Sequence, residues 1–244
     1  MSASFFSPKW VTHARVNALM TTRQGGVSEA PFDSFNLGVY VGDPAAETNR
    51  AQLRHAAQLP AEPRWLHQVH STRCVAARDL ATEAEADSSW TDESGVVLVA
   101  LAADCLPVLF ASRDGSCVAA AHAGWRGLAA GVLENTVSSM PTDPGNLVAW
   151  LGPAIGPTAF EVGEEVRAAF VDQHGDDAQH FARGAQANKW LADIFALARA
   201  RLLRAGLASV SGGGVCTVHT PERYFSHRRD KGASGRMAAM IWLN

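Results

Sequence analysis

The stretch Val96–Gly127, reading VVLVALAADCLPVLFASRDGSCVAAAHAGWRG, decides the fold. It opens on a short, valine-rich apolar run, Val96 to Leu101, of the kind that forms a buried strand. A second apolar run, Pro107 to Ala111, is followed by Arg113-Asp114-Gly115-Ser116, whose Asp-Gly pair signals a tight turn. Cys117 to Ala121 then reads as the returning strand, so the expectation is a hairpin at the heart of a sheet. Folding back at Asp114-Gly115 carries Cys105 and His122 towards the same end of that sheet, because each stands eight or nine residues from the turn.

Outward from this hairpin the chain alternates irregularly between helical and extended patterns. Leu128, Val132, Leu133 and Val137 are at helical spacing, predicting a helix over Gly127–Met140 that Pro141 ends. A second is expected over Glu161–Gln173. A third is expected over Trp190–Arg204, with Gly206 as its C-terminal cap. Further strands are expected at Ser209-Val210, Val215–Val218 and Met237–Leu243. The glycine- and proline-bearing stretch Arg23–Asp43 reads as a long irregular segment, which in a compact domain is more often functional than idle. The acidic stretch Glu83–Glu93 reads as a solvated loop. No glycine-rich dinucleotide fingerprint follows a strand and there is no Walker loop, so the expected fold is a single α/β domain over residues 1–244, a mixed α/β sandwich and neither a Rossmann fold nor a TIM barrel.

Composition narrows the functional classes. The 244 residues are 47% hydrophobic and 18% charged, with a formal net charge of −3, which excludes a disordered or coiled-coil chain. Lys and Arg form no broad basic stripe, so nucleic acid is not an expected partner. No run approaches the ~20 apolar residues needed to span a bilayer. The polar start Met1-Ser2-Ala3-Ser4 does not read as a signal peptide, so a cytoplasmic monomer acting on a small molecule is the expectation. Cys74, Cys105, Cys117 and Cys216 form no C-x-x-C pair and are expected to be reduced.

Three segments carry residues unusual for a sheet core: Trp65–His70, Ala103–Pro107 and Ala121–Gly127. A thiolate and two imidazoles, from Cys105, His70 and His122, are ligands that Zn²⁺ prefers. Three such ligands with an open fourth position is the catalytic arrangement, in which the metal lowers the pKa of a bound water. The same residues without metal could form a nucleophile–base pair. Their spacing matches no local zinc signature, and pattern alone favours Cys105 as a small buried residue and the histidines as hydrogen-bonded structural groups.

Motifs in order along the chain add to this. They include Thr21–Ser28, Asn36-Leu37-Gly38, Val41-Gly42-Asp43, Asn49-Arg50, Gln68-Val69-His70, Ala103–Pro107 and His122–Gly127. They continue with Trp150–Gly156, Phe160–Gly163, Cys216-Thr217, Phe225–Asp230 and Gly235-Arg236-Met237. In these the sequence resembles the YfiH family, also described as multicopper polyphenol oxidoreductase (laccase-like) or peptidoglycan-editing-factor proteins. The resemblance implies that His70, Cys105 and His122 are the metal-binding and catalytic triad. It also implies purine nucleoside chemistry: phosphorolysis of adenosine, inosine and methylthioadenosine, and deamination of adenosine, with Zn²⁺ as the metal and copper as the alternative. The fold it implies is similar to toxin deamidases that use a Cys–His pair. His67 departs from the family pattern. On a strand it would face away from His70 and stand at the rim. His227 also departs, replacing an aromatic residue, and would alter only the pocket wall.

The remaining candidates have two readings each. Arg50, Arg126 and Arg236 could hold phosphate through their fork of donors, or be structural. Asp104 could orient a histidine or cap the turn that follows it. Asn36 and Gln68 could read a purine edge or satisfy backbone groups. Cys74, Cys117 and Cys216 read as ordinary buried cysteines, with Cys117 facing away from His122. Two other activities compete: a copper polyphenol oxidase, disfavoured by nine histidines without a single H-x-H pair, and a metal-free Cys–His hydrolase editing peptidoglycan precursors.

Overall fold

The computed structural model describes residues 4–80 and 84–244. The first half of the chain forms β1 (Phe5–Phe6), β2 (Val16–Thr21), α1 (Ala46–Ala56), β3 (Cys74–Ala76), β4 (Ser88–Thr91), β5 (Leu98–Ala102), β6 (Leu106–Ser112) and β7 (Val118–Ala123). The second half forms α2 (Trp125–Ala130), α3 (Val132–Ser139), β8 (Leu147–Leu151), β9 (Glu161–Gly163), α4 (Glu164–Val171), β10 (Phe181–Arg183), β11 (Lys189–Ala192), α5 (Ile194–Arg204), β12 (Ser209–Gly212) and β13 (Met237–Leu243).

The strands form a six-stranded sheet in the order β12-β8-β6-β7-β4-β3, a four-stranded sheet β1-β2-β13-β5 and a small sheet β10-β11-β9. Side-chain alternation along each strand assigns the layers. Leu109 and Ala111 of β6, with Val118 and Ala120 of β7, meet Leu98, Ala100, Met237, Ala239 and Ile241 in an apolar layer between the two large sheets. The opposite faces of β6 and β7, through Val108, Phe110, Ala119 and Ala121, pack on α2, α3, α5 and the small sheet. The outer face of the four-stranded sheet, through Leu19, Val99, Leu101 and Met240, is covered by Leu53 of α1 and by Phe35 and Leu37 of the long irregular segment. The result is the expected mixed α/β sandwich and not a barrel. Among the described residues no helix is long and apolar enough to cross a membrane.

The hairpin of β6 and β7 stands where the sequence places it, in the middle of the larger sheet. Several boundaries differ from expectation, each for a local reason. The helix expected over Gly127–Met140 is two helices, broken at Gly131, whose φ of 100° lies in the left-handed region open to glycine. Glu161–Gly163 and Lys189–Ala192 are paired strands, so the helices expected from Glu161 and Trp190 begin later, at Glu164 and Ile194. Asp193 starts the second of these by accepting hydrogen bonds from the backbone N–H groups of Phe195 and Ala196, both at 3.0 Å. The Val215–Val218 strand is a single bridge from Cys216 to Ala154.

The acidic stretch needs the largest correction. Glu83 lies outside the described residues, but Asp87 and all of β4 are buried. β4 joins β7 to β3. Ser88-Ser89-Trp90-Thr91 carries no apolar alternation, so its burial left no mark that periodicity could read.

Candidate metal centre

Three strand ends and one loop converge at a single edge of the six-stranded sheet. The hairpin register sets Leu106 opposite Ala123 and Pro107 opposite His122, so Cys105, one residue before β6, lies beside the end of β7. Asp87 precedes β4, whose Ser88 pairs with Ala121 of β7. His70 comes from an irregular segment, not from a strand. Its φ of 62° is left-handed, so the parity argument separating it from His67 does not apply. His67 is at the cavity rim for a different reason: its ring stacks on Tyr40 at 4.4 Å and its Nδ1 lies 3.8 Å from Glu85.

The three predicted residues meet. One donor atom from each of His70, Cys105 and His122 lies within 4.8 Å of the others. The Cys105 Sγ to His70 Nε2 separation is 3.7 Å, and the two imidazole rings stand edge to face with centroids 4.9 Å apart. Gly124, at the start of α2, makes room for them. A Cβ there would fall 2.6 Å from His70 Cδ2 and 3.0 Å from Cys105 Sγ.

Asp87 is the residue beside the cluster that the sequence did not reveal. It is 1% exposed, and its Oδ1 is 2.9 Å from His122 Nδ1. The same carboxylate accepts the backbone N–H of His70 at 3.0 Å and of Ser71 at 2.6 Å, and the Ser71 hydroxyl at 2.8 Å. Burial works to raise the Asp87 pKa, but the hydrogen bonds from His122 and Ser71 outweigh it and hold the group below its ordinary value.

The electrostatics favour a charged pair. Burial opposes the Cys105 thiolate, yet the charge and hydrogen bond of His122, together with those of His70, bring its pKa down to about 6. Burial likewise opposes the His122 imidazolium, but the Cys105 thiolate and Asp87 raise its pKa to about 9. Such a site stabilises an anionic sulfur at neutral pH, the form in which cysteine binds metal or attacks a carbon. With Nδ1 turned to Asp87, His122 keeps Nε2 for the cluster. A soft thiolate and two imidazoles, one fixed by a carboxylate, match the donor chemistry of Zn²⁺, and the residues therefore fit the metal.

The cluster forms part of the wall of a cavity of about 700 Å³. Of the secondary candidates, Gln68, Asp104, Arg126 and Arg236 line it, and Asn36 and Arg50 do not. Arg50 is buried, donates to the Leu37 carbonyl at 2.9 Å and lies 3.8 Å from the Trp65 ring centroid. Asn36 holds the long segment together through Gly38, Asp43 and the backbone N–H of Arg236. Asn36 therefore supports the cavity wall from behind through Gly38 and Arg236. Gln68 is clipped to the backbone of Leu101 by two hydrogen bonds. The Asp104 carboxylate is turned to other partners than the histidines. It accepts from Thr217 Oγ1, Ser226 Oγ and the Arg228 backbone N–H, and so ties the turn before β6 to the segment carrying His227 and Arg228. Arg236 donates through Nη1 to the carbonyls of Ser234 and Gly235, and burial lowers its pKa against the opposing pull of Cys105 and Asp104. Arg126 lies 4.5 Å from the Trp125 ring centroid. Cys74 and Cys216 are half-buried and Cys117 is buried; Cys117 lies in the layer opposite the sheet-to-sheet interface.

Residues 17–244 match the family described as multi-copper polyphenol oxidoreductase laccase. The chain belongs to this family, the YfiH or laccase-like proteins. Among its relatives, a protein of Pseudomonas aeruginosa named purine nucleoside phosphorylase is 50% identical over 242 residues, covering 98% of each chain. The Escherichia coli purine nucleoside phosphorylase YfiH is 48% identical over 239 residues, covering 97% of each. The crystal structure of a Neisseria meningitidis protein superposes with a TM-score of 0.94 at 47% identity, covering 99% of both chains. YlmD from Geobacillus stearothermophilus superposes with a TM-score of 0.84 at 32% identity, covering 95% of this chain and 93% of that one. The family is thus named for copper chemistry, while these curated relatives are named for nucleoside phosphorolysis.

Proposed function

We propose that this chain is a zinc-dependent purine nucleoside phosphorylase that cleaves adenosine, inosine and methylthioadenosine with phosphate and also deaminates adenosine, with His70, Cys105 and His122 holding the metal. The observation that carries the reading is the cluster itself: a thiolate and two imidazoles within 4.8 Å in the wall of a substrate-sized cavity. The relatives' names support the choice of substrate. Zinc held there by His70, Cys105 and His122 would supply a Lewis acid.

The protein's own groups account for much of the rest. Phosphorolysis needs an anion held beside C1′ of the ribose and a proton delivered to the departing base. Arg236 spends one guanidinium nitrogen on backbone carbonyls, which leaves further N–H donors at the cavity wall for a phosphate oxygen. Arg126 adds a second cation there. Purified protein incubated with adenosine and phosphate should yield adenine and ribose 1-phosphate, and inosine from the parallel deamination. Omitting phosphate should abolish the first product pair and spare the second. A metal-replete preparation that forms none of adenine, inosine or hypoxanthine would overturn the proposal.

A second reading is favoured by one observation. Cys105, His122 and Asp87 form a thiolate–imidazole–carboxylate series that could serve a metal-free hydrolase acting on peptidoglycan precursors. Full activity in strong chelator, lost in Cys105→Ala, would select it. The third reading, a copper polyphenol oxidase, requires several metal ions per chain, and this cluster is the one group of three such ligands among the described residues.

A further inference from the structure

We infer that Asp87 is the positioning residue of the metal site: one buried carboxylate both selects the ring nitrogen that His122 presents and folds the loop that delivers His70. The inference rests on the metal reading above.

The division of labour between the two oxygens is explicit. Oδ1 faces His122 Nδ1 at 2.9 Å and accepts the His70 N–H at 3.0 Å. Oδ2 accepts the N–H of Ser71 at 2.6 Å, the Ser71 hydroxyl at 2.8 Å and the N–H of Val69 at 3.3 Å. The Asp87 carbonyl adds a third link, accepting the backbone N–H of His122 at 2.7 Å. The three backbone N–H groups and the Ser71 hydroxyl are donors aimed at both oxygens, an arrangement that suits a carboxylate accepting on both sides and a His122 that turns an Nδ1–H to it. Histidine at φ 62° is an uncommon conformation that needs its surroundings to hold it, and the hydrogen bonds to residues 69–71 supply that hold. Asp87 hydrogen-bonds to His122 and to the backbone of His70 and its neighbours, so two of the three proposed ligands are held by this residue directly.

Asparagine at 87 keeps one oxygen and turns an amide donor towards the other set of donors. With the amide nitrogen at the Oδ1 position it loses both His122 and the His70 N–H, and at the Oδ2 position it loses the donors of Val69 and Ser71 that flank His70. Carboxylates that orient metal-bound histidines are worth roughly 10–100-fold in metal affinity, and Asp87 supports two ligands at once.

The test is zinc titration of the chelated wild type and of Asp87→Asn, in competition with a chromophoric chelator. It is paired with the nitrogen-15 imidazole spectrum of the zinc-loaded wild type. The expected results are a loss of at least tenfold in zinc affinity for Asp87→Asn, and a His122 ring protonated at Nδ1 and ligating through Nε2. A folded Asp87→Asn that takes up zinc within twofold of wild type would overturn the inference. So would a zinc-loaded wild type in which His122 Nδ1 carries no proton, and that result stands even if the variant does not fold. A wild type that takes up no zinc would instead overturn the metal reading, and this inference with it.

Discussion

At Cys105 the competing influences are burial, which penalises charge, and two imidazoles, which reward it. The imidazoles win, bringing the thiol to about 6 while His122 rises to about 9. The signs define a window. Below about 6 the thiolate is lost by protonation, above about 9 the imidazolium is lost by deprotonation, and between them both are charged. In the chelated protein, alkylation of Cys105 by iodoacetamide should therefore rise with a midpoint near pH 6 and level off by neutrality. In His122→Ala the midpoint should move up towards the ordinary thiol value of about 8.5. Cys74 and Cys117, whose pKa values burial raises, should lag behind at every pH. A wild-type midpoint near 8.5 would contradict the charge arrangement. The three clustered residues were legible because they stood in segments unusual for a sheet core and within motifs of a known family, although His70 turned out to lie on an irregular segment. Asp87 was not legible: a carboxylate in an acid-rich, serine-rich stretch has the composition of a solvated loop, and only the pairing of β4 with β7 reveals that it is buried.

At the scale of elements, the hairpin was readable because its turn and its two apolar runs agree on one register. The junctions of strand and helix were less so. Trp190 and Leu191 extend an apolar stripe that continues into α5, and only the cap at Asp193 marks where the backbone changes form. Gly131 likewise sits inside an uninterrupted helical pattern and breaks it. Gly124 carries a prediction of its own. Its φ of −62° suits any residue, so the requirement is for space and not for backbone freedom. Gly124→Ala should leave the strands and α2 intact but push a methyl group against His70 and Cys105. Zinc affinity should fall at least tenfold, at a stability cost of about 1–3 kcal/mol typical of overpacking. Circular dichroism with a zinc titration checks both, and undiminished affinity would show that the cluster has slack that its geometry does not suggest.

For the whole molecule, the sandwich was legible as a class, while the order of its strands was not. β4 falls between β7 and β3 through side chains without a strand pattern, and the pairing of β13 with both β2 and β5 joins segments far apart in the chain. The pairings of β4 bring the clustered residues together. The segment before β3, the start of β6 and the end of β7 come together, so an ion held there would staple parts of the chain distant in sequence. A ligand at about 100 times its Kd stabilises the native state by about 2.7 kcal/mol. At this chain length that corresponds to a rise in Tm of roughly 5–10 °C. The direct measurement is therefore equilibrium zinc uptake by the chelated chain beside Cys105→Ala, followed by metal content and melting temperature together. The account predicts one zinc per chain with a rise in Tm for the wild type, and neither for the variant. Zinc uptake and stabilisation unchanged in Cys105→Ala, or absent from the wild type, would contradict it.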